Sequence, residues 1–318
     1  MEFIRGLHNL RPRHHGCVAT IGNFDGVHLG HQSILRQLAE KAAVFQVPTL
    51  VITFEPQPQE YFARHASPPR LMRLREKLLA LKESGIDRVL CLKFDQRLAN
   101  LDARRFVDDL LVAQLGVRFL VVGDDFRFGH GRRGDFSLLC QAGDKHGFQV
   151  ANTHSLLWEG SRVSSTRIRQ ALGQGDLNHV HCLLGRPYAI CGRIVHGDQR
   201  GRLLGYPTAN IHLHREMTPL SGVYVVELHG IGPHPLPGVA NVGRRPTVNG
   251  TRDQLEVHLF DFQQDIYGRY VQVDFLAHLR PEWRFESLEA LREQIDQDAR
   301  QARAHFAAQA GDVLPHPI

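Results

Sequence analysis

Apolar residues follow two different rhythms along this 318-residue chain. In roughly the first half, short unbroken apolar runs alternate with stretches whose apolar positions recur every three to four residues. That is the arrangement of a parallel sheet covered by helices on both faces. The runs Cys17 to Gly22, Thr49 to Phe54, Arg88 to Phe94, Arg118 to Gly123 and Phe148 to Thr153 predict five buried strands rich in Val, Ile, Leu and Phe. Between them, Leu71, Leu74, Leu78 and Leu81 share helical spacing. So do Phe106, Leu110, Leu111 and Leu115, which follow the N-cap candidate Asp102 and precede a stop at Gly116. Shorter helices are predicted over Ser164 to Leu172 and Asp176 to Leu184.

After Gly185-Arg186-Pro187 the period changes to two, with turns rich in Gly and Pro. Gly222 to Leu228, Leu255 to Phe260 and Tyr270 to Leu276 read as strands of a small β-barrel. A helix capped by Ser287 follows, with Leu288, Leu291, Ile295, Ala299, Ala302 and Phe306 on one stripe that closes a side of the barrel. The expected organisation is therefore a Rossmann-like α/β domain over 1–184 and a β-barrel domain with a terminal helix over 185–318.

Composition narrows the class without naming a chemistry. A 42% hydrophobic content over this length supports a substantial core. No apolar stretch approaches the roughly 20 residues of a membrane-spanning helix, and no signal-peptide run opens the chain, so a cytoplasmic protein is expected. Five scattered cysteines without a CxxC pair suggest neither a disulfide framework nor a cysteine zinc site. A net charge of +5 suits an anionic partner but does not separate nucleotide, RNA and lipid.

The chemistry concentrates first in GNFDGVHLGH, Gly22 to His31, which follows a strand and opens a helix. Its glycines let backbone approach a ligand, and the helix N-terminus attracts negative charge. His28 and His31 flank Gly30 as HxGH, a spacing that lets two imidazoles donate to an α-phosphate and a departing pyrophosphate. VSSTRIRQAL adds Ser164, Ser165 and Thr166 at a second helix start, with Arg167 and Arg169 behind them. Alone this would be an ordinary capping sequence. Together with HxGH it matches the paired signature of the HxGH nucleotidyltransferase superfamily.

With TFEPQP (Thr53 to Pro58) and VVGDDFRFGHGRRGD (Val121 to Asp135), the chain resembles the bacterial bifunctional riboflavin kinase/FMN adenylyltransferase family over its whole length. The resemblance implies that riboflavin is converted to FMN and FMN to FAD at the cost of ATP. It implies phosphate or nucleotide contacts from Gly22, Asn23, Phe24, Asp25 and Gly30, and flavin contacts from Asp124 and Arg127. A flexible stretch from Gly129 to Gly134 is expected to border that site. The family usually reads EPHP where Gln57 stands here. Gln can donate a hydrogen bond but cannot become cationic.

In the second half, GRIVHGDQRGRLLGYPTAN (Gly192 to Asn210) resembles a riboflavin kinase domain. The resemblance implies ATP contacts from Gly197, Gly201 and Arg202, and a Mg²⁺ site using Thr208 and Asn210. It implies flavin contacts from Asn241 and Arg245 within GVANVGRRPTV. It makes Glu256 the acceptor of the riboflavin hydroxyl proton. On its own the alternation makes Glu256 a solvated residue beside His258 and Phe260. Tyr206, where the family often has Phe, is expected to matter little.

The implied partners are the small molecules ATP, riboflavin and FMN, without nucleic acid or membrane, and with no oligomeric state specified. Three other readings stand beside this one. An RNA-binding module would use Arg132, Arg133, Arg200 and Arg202. A single-activity enzyme would have lost its adenylyltransferase at Gln57. A metal site would use His212 and His214 but lacks an evident third ligand.

Overall fold

In a computed structural model, residues 1–63, 66–153, 155–197, 205–215, 217–247 and 250–311 are described. The chain forms two compact units, Met1–Pro68 with Met72–Ser165, and Pro69–Leu71 with Thr166–Ile318.

The first unit is a parallel sheet of six strands in the order β1-β4-β3-β2-β5-β6. The strands are β1 Glu2–Arg5, β2 Cys17–Ile21, β3 Thr49–Glu55, β4 Arg88–Lys93, β5 Val117–Gly123 and β6 Gln149–Thr153. Its helices are α1 Leu29–Phe45, α2 Pro58–Ala63, α3 Leu74–Glu83, α4 Gln96–Ala99, α5 Ala103–Arg105 and α6 Phe136–His146. The five expected strands are present, and β1 adds an edge beside β4.

Alternation along the strands splits the core in two. Val18, Val51, Val89 and Val121 pack with Leu35 and Leu38 of α1 and Leu81 of α3. Cys17, Ala19, Leu50, Ile52 and Leu90 pack on the other face with Phe106, Leu110, Leu111 and Leu139. Asp102 accepts from the N–H groups of Arg104 and Arg105, as its sequence position suggests. Beyond Arg105 the helix continues in π geometry over Phe106–Gln114 and ends where the Gly116 N–H returns to the Val112 carbonyl. Leu71 is a correction: it shares the helical spacing but precedes α3, after Pro68-Pro69, and is fully buried as part of the second unit.

A two-stranded ribbon, β7 Leu157–Trp158 and β8 Ser161–Arg162, precedes α7 Ser165–Gly173 and α8 Leu177–Leu184. Residues from Thr166 onward, including α8, belong to the second unit. There six antiparallel strands close into a barrel in the order β10-β13-β12-β11-β14-β9. They are β9 Tyr188–Val195, β10 Ala209–His212, β11 Gly222–His229, β12 Leu236–Thr247, β13 Gly250–Leu259 and β14 Tyr270–Arg280.

The terminal helix α9 Leu288–Gly311 starts where Ser287 Oγ accepts from the Ala290 N–H. It packs Ala299, Ala302 and Phe306 on Val223, Val225, Val239 and Phe260. A bidentate ion pair fixes it, Arg280 to Asp298 at 2.8–3.1 Å, with both side chains nearly buried. The expected stripe holds from its middle onward, but its first member, Leu288, is 67% exposed.

Candidate functional site

Strand β2 is the point where the sheet order turns, with β3 and β4 laid down on one side and β5 and β6 on the other. In open parallel sheets, the crevice beyond the carboxyl end of such a strand is where ligands bind. The loop leaving β2 carries Gly22 to His31. Phe24 and Val27 hold left-handed backbone at φ 48° and 42°, both with buried side chains, so this loop is held in its shape by packing.

His28 is the N-cap of α1, its Nδ1 accepting from the His31 N–H at 3.3 Å. That bond leaves the proton of the neutral ring on Nε2, free to donate outward. The two imidazoles stack at 3.7 Å, and the His31 ring also lies 4.9 Å from Phe24. Burial pushes His28 down to about 4, helped by the Arg162 charge. Burial, then His28, Lys77 and Arg162, holds His31 well below the usual histidine range. Both rings are therefore neutral at physiological pH, and His31 Nδ1 is buried without a hydrogen-bond partner.

The two signature segments meet within the first unit. A Cβ on Gly30 would lie 3.5 Å from the Val163 carbonyl and 3.2 Å from the His28 ring. Ser165 Oγ donates to the Asp25 carbonyl at 2.8 Å, and the Asp25 carboxylate accepts from the Met72 N–H at 2.9 Å. Asp25 thus shapes the loop from a buried position, while the half-buried Asn23 lends its carbonyl to Thr53 Oγ1 at 3.5 Å. Gly22 donates its N–H to Ile52 and so ties the loop to β3. Ser164 is half-buried. Thr166, Arg167 and Arg169 fall in the second unit, where Arg169 donates to the Pro69 carbonyl at 2.6 Å.

Gln57, after β3, is 4% exposed, and its amide nitrogen is buried without a partner. Asp124, after β5, accepts from Ser155 Oγ at 2.7 Å, which holds its carboxyl below the usual range, and Arg162 forks onto Asp125 at 3.0 Å. Arg127 pairs with Asp135 at 3.1 Å. The stretch expected to be flexible is pinned at its ends by the Phe128–Gly134 bridge, with bonds of 3.1 and 2.9 Å. Sequence reasoning missed an aromatic cluster after β3 and β4. Tyr61 and Phe62 meet Phe94 edge-on at 5.4 and 5.7 Å, and Phe62 is 69% exposed. The adjacent aromatic pair Tyr61-Phe62, just after the TFEPQP segment, was the available signal.

In the barrel, Asn210, Glu256 and Asn241 sit opposite one another on the adjacent strands β10, β13 and β12. Glu256 is half-buried rather than solvated, because that row of amides lies beside it. Gln254 donates through one amide nitrogen to Asn210 Oδ1 and, at 3.5 Å, to Glu256 Oε1. Asn210 is 5% exposed, and a Cβ on Gly197 would fall 2.2 Å from its amide nitrogen, so only glycine leaves that amide its place. Thr208 lines a cavity of about 390 Å³ with Pro207, Val257, Phe262, Ile266 and Tyr267. The last three of these walls were not singled out from sequence. His196 stacks on Tyr267 at 3.8 Å.

Gly201 and Arg202 lie outside the described residues, and Arg245 is described only through its backbone pairing with Arg252. His212 and His214 stand 3.8 Å apart, ring to ring, yet no group of three or more His, Cys, Asp or Glu among the described residues could hold a metal. Among those residues no helix is long and apolar enough to cross a membrane.

The FAD synthetase family model matches residues 10–167 and the riboflavin kinase model residues 184–306. A bifunctional riboflavin kinase/FMN adenylyltransferase of Escherichia coli (strain K12) is 53% identical over 96% of this chain and 98% of its own. One from Pseudomonas fluorescens is 52% identical over 98% and 99%. A solved structure described as a macrolide-efflux protein from Streptococcus pneumoniae superposes with a TM-score of 0.81 at 31% identity, covering 95% of this chain and 99% of that one.

Proposed function

Because this chain belongs to the bifunctional riboflavin kinase/FMN adenylyltransferase family and makes FMN and FAD from riboflavin and ATP, we propose that its two reactions run at the two sites just described. One observation carries the division. The HxGH loop and the Asn210–Glu256–Asn241 row belong to different compact units, each inside its own family match. The functional domains are 1–184 and 185–318, with α7 and α8 counted with the adenylyltransferase because the SSTRIR segment begins the first of them.

At the first site, the FMN phosphate attacks the α-phosphorus of ATP and pyrophosphate leaves. No covalent intermediate is needed, since the nucleophile is already an anion. His28 Nε2–H, the His31 ring, the Gln57 amide and the α1 N-terminus supply donors for charge that builds on the phosphate oxygens. The buried, unpartnered His31 Nδ1 and Gln57 amide nitrogen support this, since a bound phosphate would satisfy them. Phe62 and its neighbours offer a face for the flavin rings, with Asp124 and Arg127 at the end of β5.

At the second site, the riboflavin 5′-hydroxyl attacks the γ-phosphorus of ATP, Glu256 takes the hydroxyl proton and ADP leaves. Thr208 Oγ1 and Asn210 Oδ1 are oxygen donors of the kind Mg²⁺ accepts, and the notch at Gly197 fits the Asn210 amide. Held there with ATP, such an ion would neutralise charge on the transferring phosphoryl group. Asn241 and Arg245 are the flavin contacts in this reading. Five free cysteines support a cytoplasmic location in this reading.

A crossed experiment tests the division. Gly197→Ala should displace the Asn210 amide and lower FMN formation on the order of tenfold, leaving FAD formation from supplied FMN intact. Gln57→His should instead alter FAD formation alone, making its rate rise or fall across pH 5–8 as the new imidazole titrates. An unchanged rate and pH profile in Gln57→His would count against a donor role for that position. Product chromatography from riboflavin or FMN with ATP and Mg²⁺ reads both.

A further inference from the structure

The segment that carries Thr208 and Asn210 is held from two directions. On one side, His258 Nδ1 bonds the Pro207 carbonyl at 2.9 Å. On the other, the Tyr206 hydroxyl donates to Asp296 Oδ1 on α9, ninety residues along the chain. The Tyr206 ring meets His258 edge-on at 5.0 Å and packs against the Val223, Val225, Val239 and Ala299 cluster. Pro207 has a fixed φ, so a displacement of Tyr206 passes to Thr208 with little slack. Thr208 lines the 390 Å³ cavity, and Asn210 lies opposite Glu256.

We propose that Tyr206 and Asp296 are positioning residues for the kinase reaction, through which helix α9 sets where Thr208 and Asn210 stand. The aromatic ring alone supplies the packing; the hydroxyl adds the tether. A chain with Phe at this position would pack the same way and lack the link to α9, so the expectation that Tyr206 is a neutral replacement is set aside. Neither residue touches the reacting atoms. Their effect therefore belongs in the binding of the nucleotide and metal rather than in proton transfer. The inference rests on the assignment of the kinase site above.

Tyr206→Phe keeps the ring and removes the tether. It should raise the KM for Mg·ATP in riboflavin phosphorylation about three- to tenfold, the value of one hydrogen bond. The kcat should stay within about twofold, since the interaction is lost equally from ground and transition states. FAD formation from supplied FMN should be unchanged. Asp296→Ala should match Tyr206→Phe, Asp296→Asn should recover most of the affinity, and the double variant should be no worse than either single one.

An unchanged KM in Tyr206→Phe, or additive effects in the double variant, overturns the proposal, as does a fall in both activities together. Glu256→Gln, assayed alongside, separates the two levels of inference. If it leaves FMN formation intact, the kinase site itself is misassigned. If it abolishes FMN formation while Tyr206→Phe is silent, only the tether is wrong.

Discussion

Replacing Glu256 by Gln should lower riboflavin phosphorylation about 10²- to 10⁴-fold, the usual contribution of a positioned proton acceptor. The substitution keeps the volume of the side chain and a hydrogen-bonding carbonyl, so the row formed with Asn210 and Asn241 can persist. What disappears is the capacity to take the proton of the attacking hydroxyl. Adenylyl transfer from supplied FMN should continue at its normal rate, because the HxGH loop belongs to the other unit. Separate assays with riboflavin and with FMN, each with a thermal melt to show that the protein is folded, give the answer. A folded variant in which both rates fall together would sink the two-site account.

The second large effect is expected at His28. His28→Ala removes one donor from a site that stabilises developing charge, a loss on the order of 10²- to 10³-fold in FAD formation. It also removes the N-cap of α1, at about 1 kcal/mol of stability. Phosphorylation of riboflavin should be untouched. His28→Asn should restore much of the stability, because Asn caps a helix well, but not the rate, because its shorter side chain ends before the imidazole Nε2.

The same histidine makes stability depend on pH in a definite direction. Its folded pKa is depressed to about 4 from an ordinary 6.5, so the unfolded chain takes up the proton first as the solution is acidified. The stabilisation is complete above pH 6.5 and is lost progressively as pH falls to about 4, with a slope of at most about 1.4 kcal/mol per pH unit. Urea titrations between pH 4 and 7 should show that slope reduced in His28→Ala. An identical slope in the two proteins would mean that the imidazole is not held neutral.

Much of the first unit could be read in advance because each buried strand is a plain apolar run, and because Asp102, Asp176 and Ser287 announce helix starts that their side chains then cap. Strand β1 escaped notice because EFIR is four residues long, polar at both ends and exposed at Phe3; it exists through its pairing with β4. Strand β13 begins at Gly250, well before Leu255, because Thr251 to Gln254 continue the ladder with Gly243 to Pro246, and polar residues on a two-stranded ribbon show no apolar alternation. Spacing alone placed Leu71 in a helix and Leu288 on a buried stripe, and in both cases chain context prevailed.

At the sites, the HxGH pair and Ser165 were legible because strand, turn and helix follow one another in sequence. The Glu256 row was not legible from pattern. It joins residues 210, 241 and 256 through strand register, which only the closed barrel sets. The bond from Tyr206 to Asp296 joins residues ninety apart, one of them on α9, and no local pattern announces it.

The barrel closes by pairing its first strand, β9, with its last, β14. On a ribosome, residues 188–195 must therefore wait until residues 270–280 have been made before the ring is complete, while the sheet of the first unit draws on strands that are all synthesised by residue 153. During translation the sheet of the first unit can thus be complete before the barrel closes, and a chain stalled before β14 would carry a barrel with open seams.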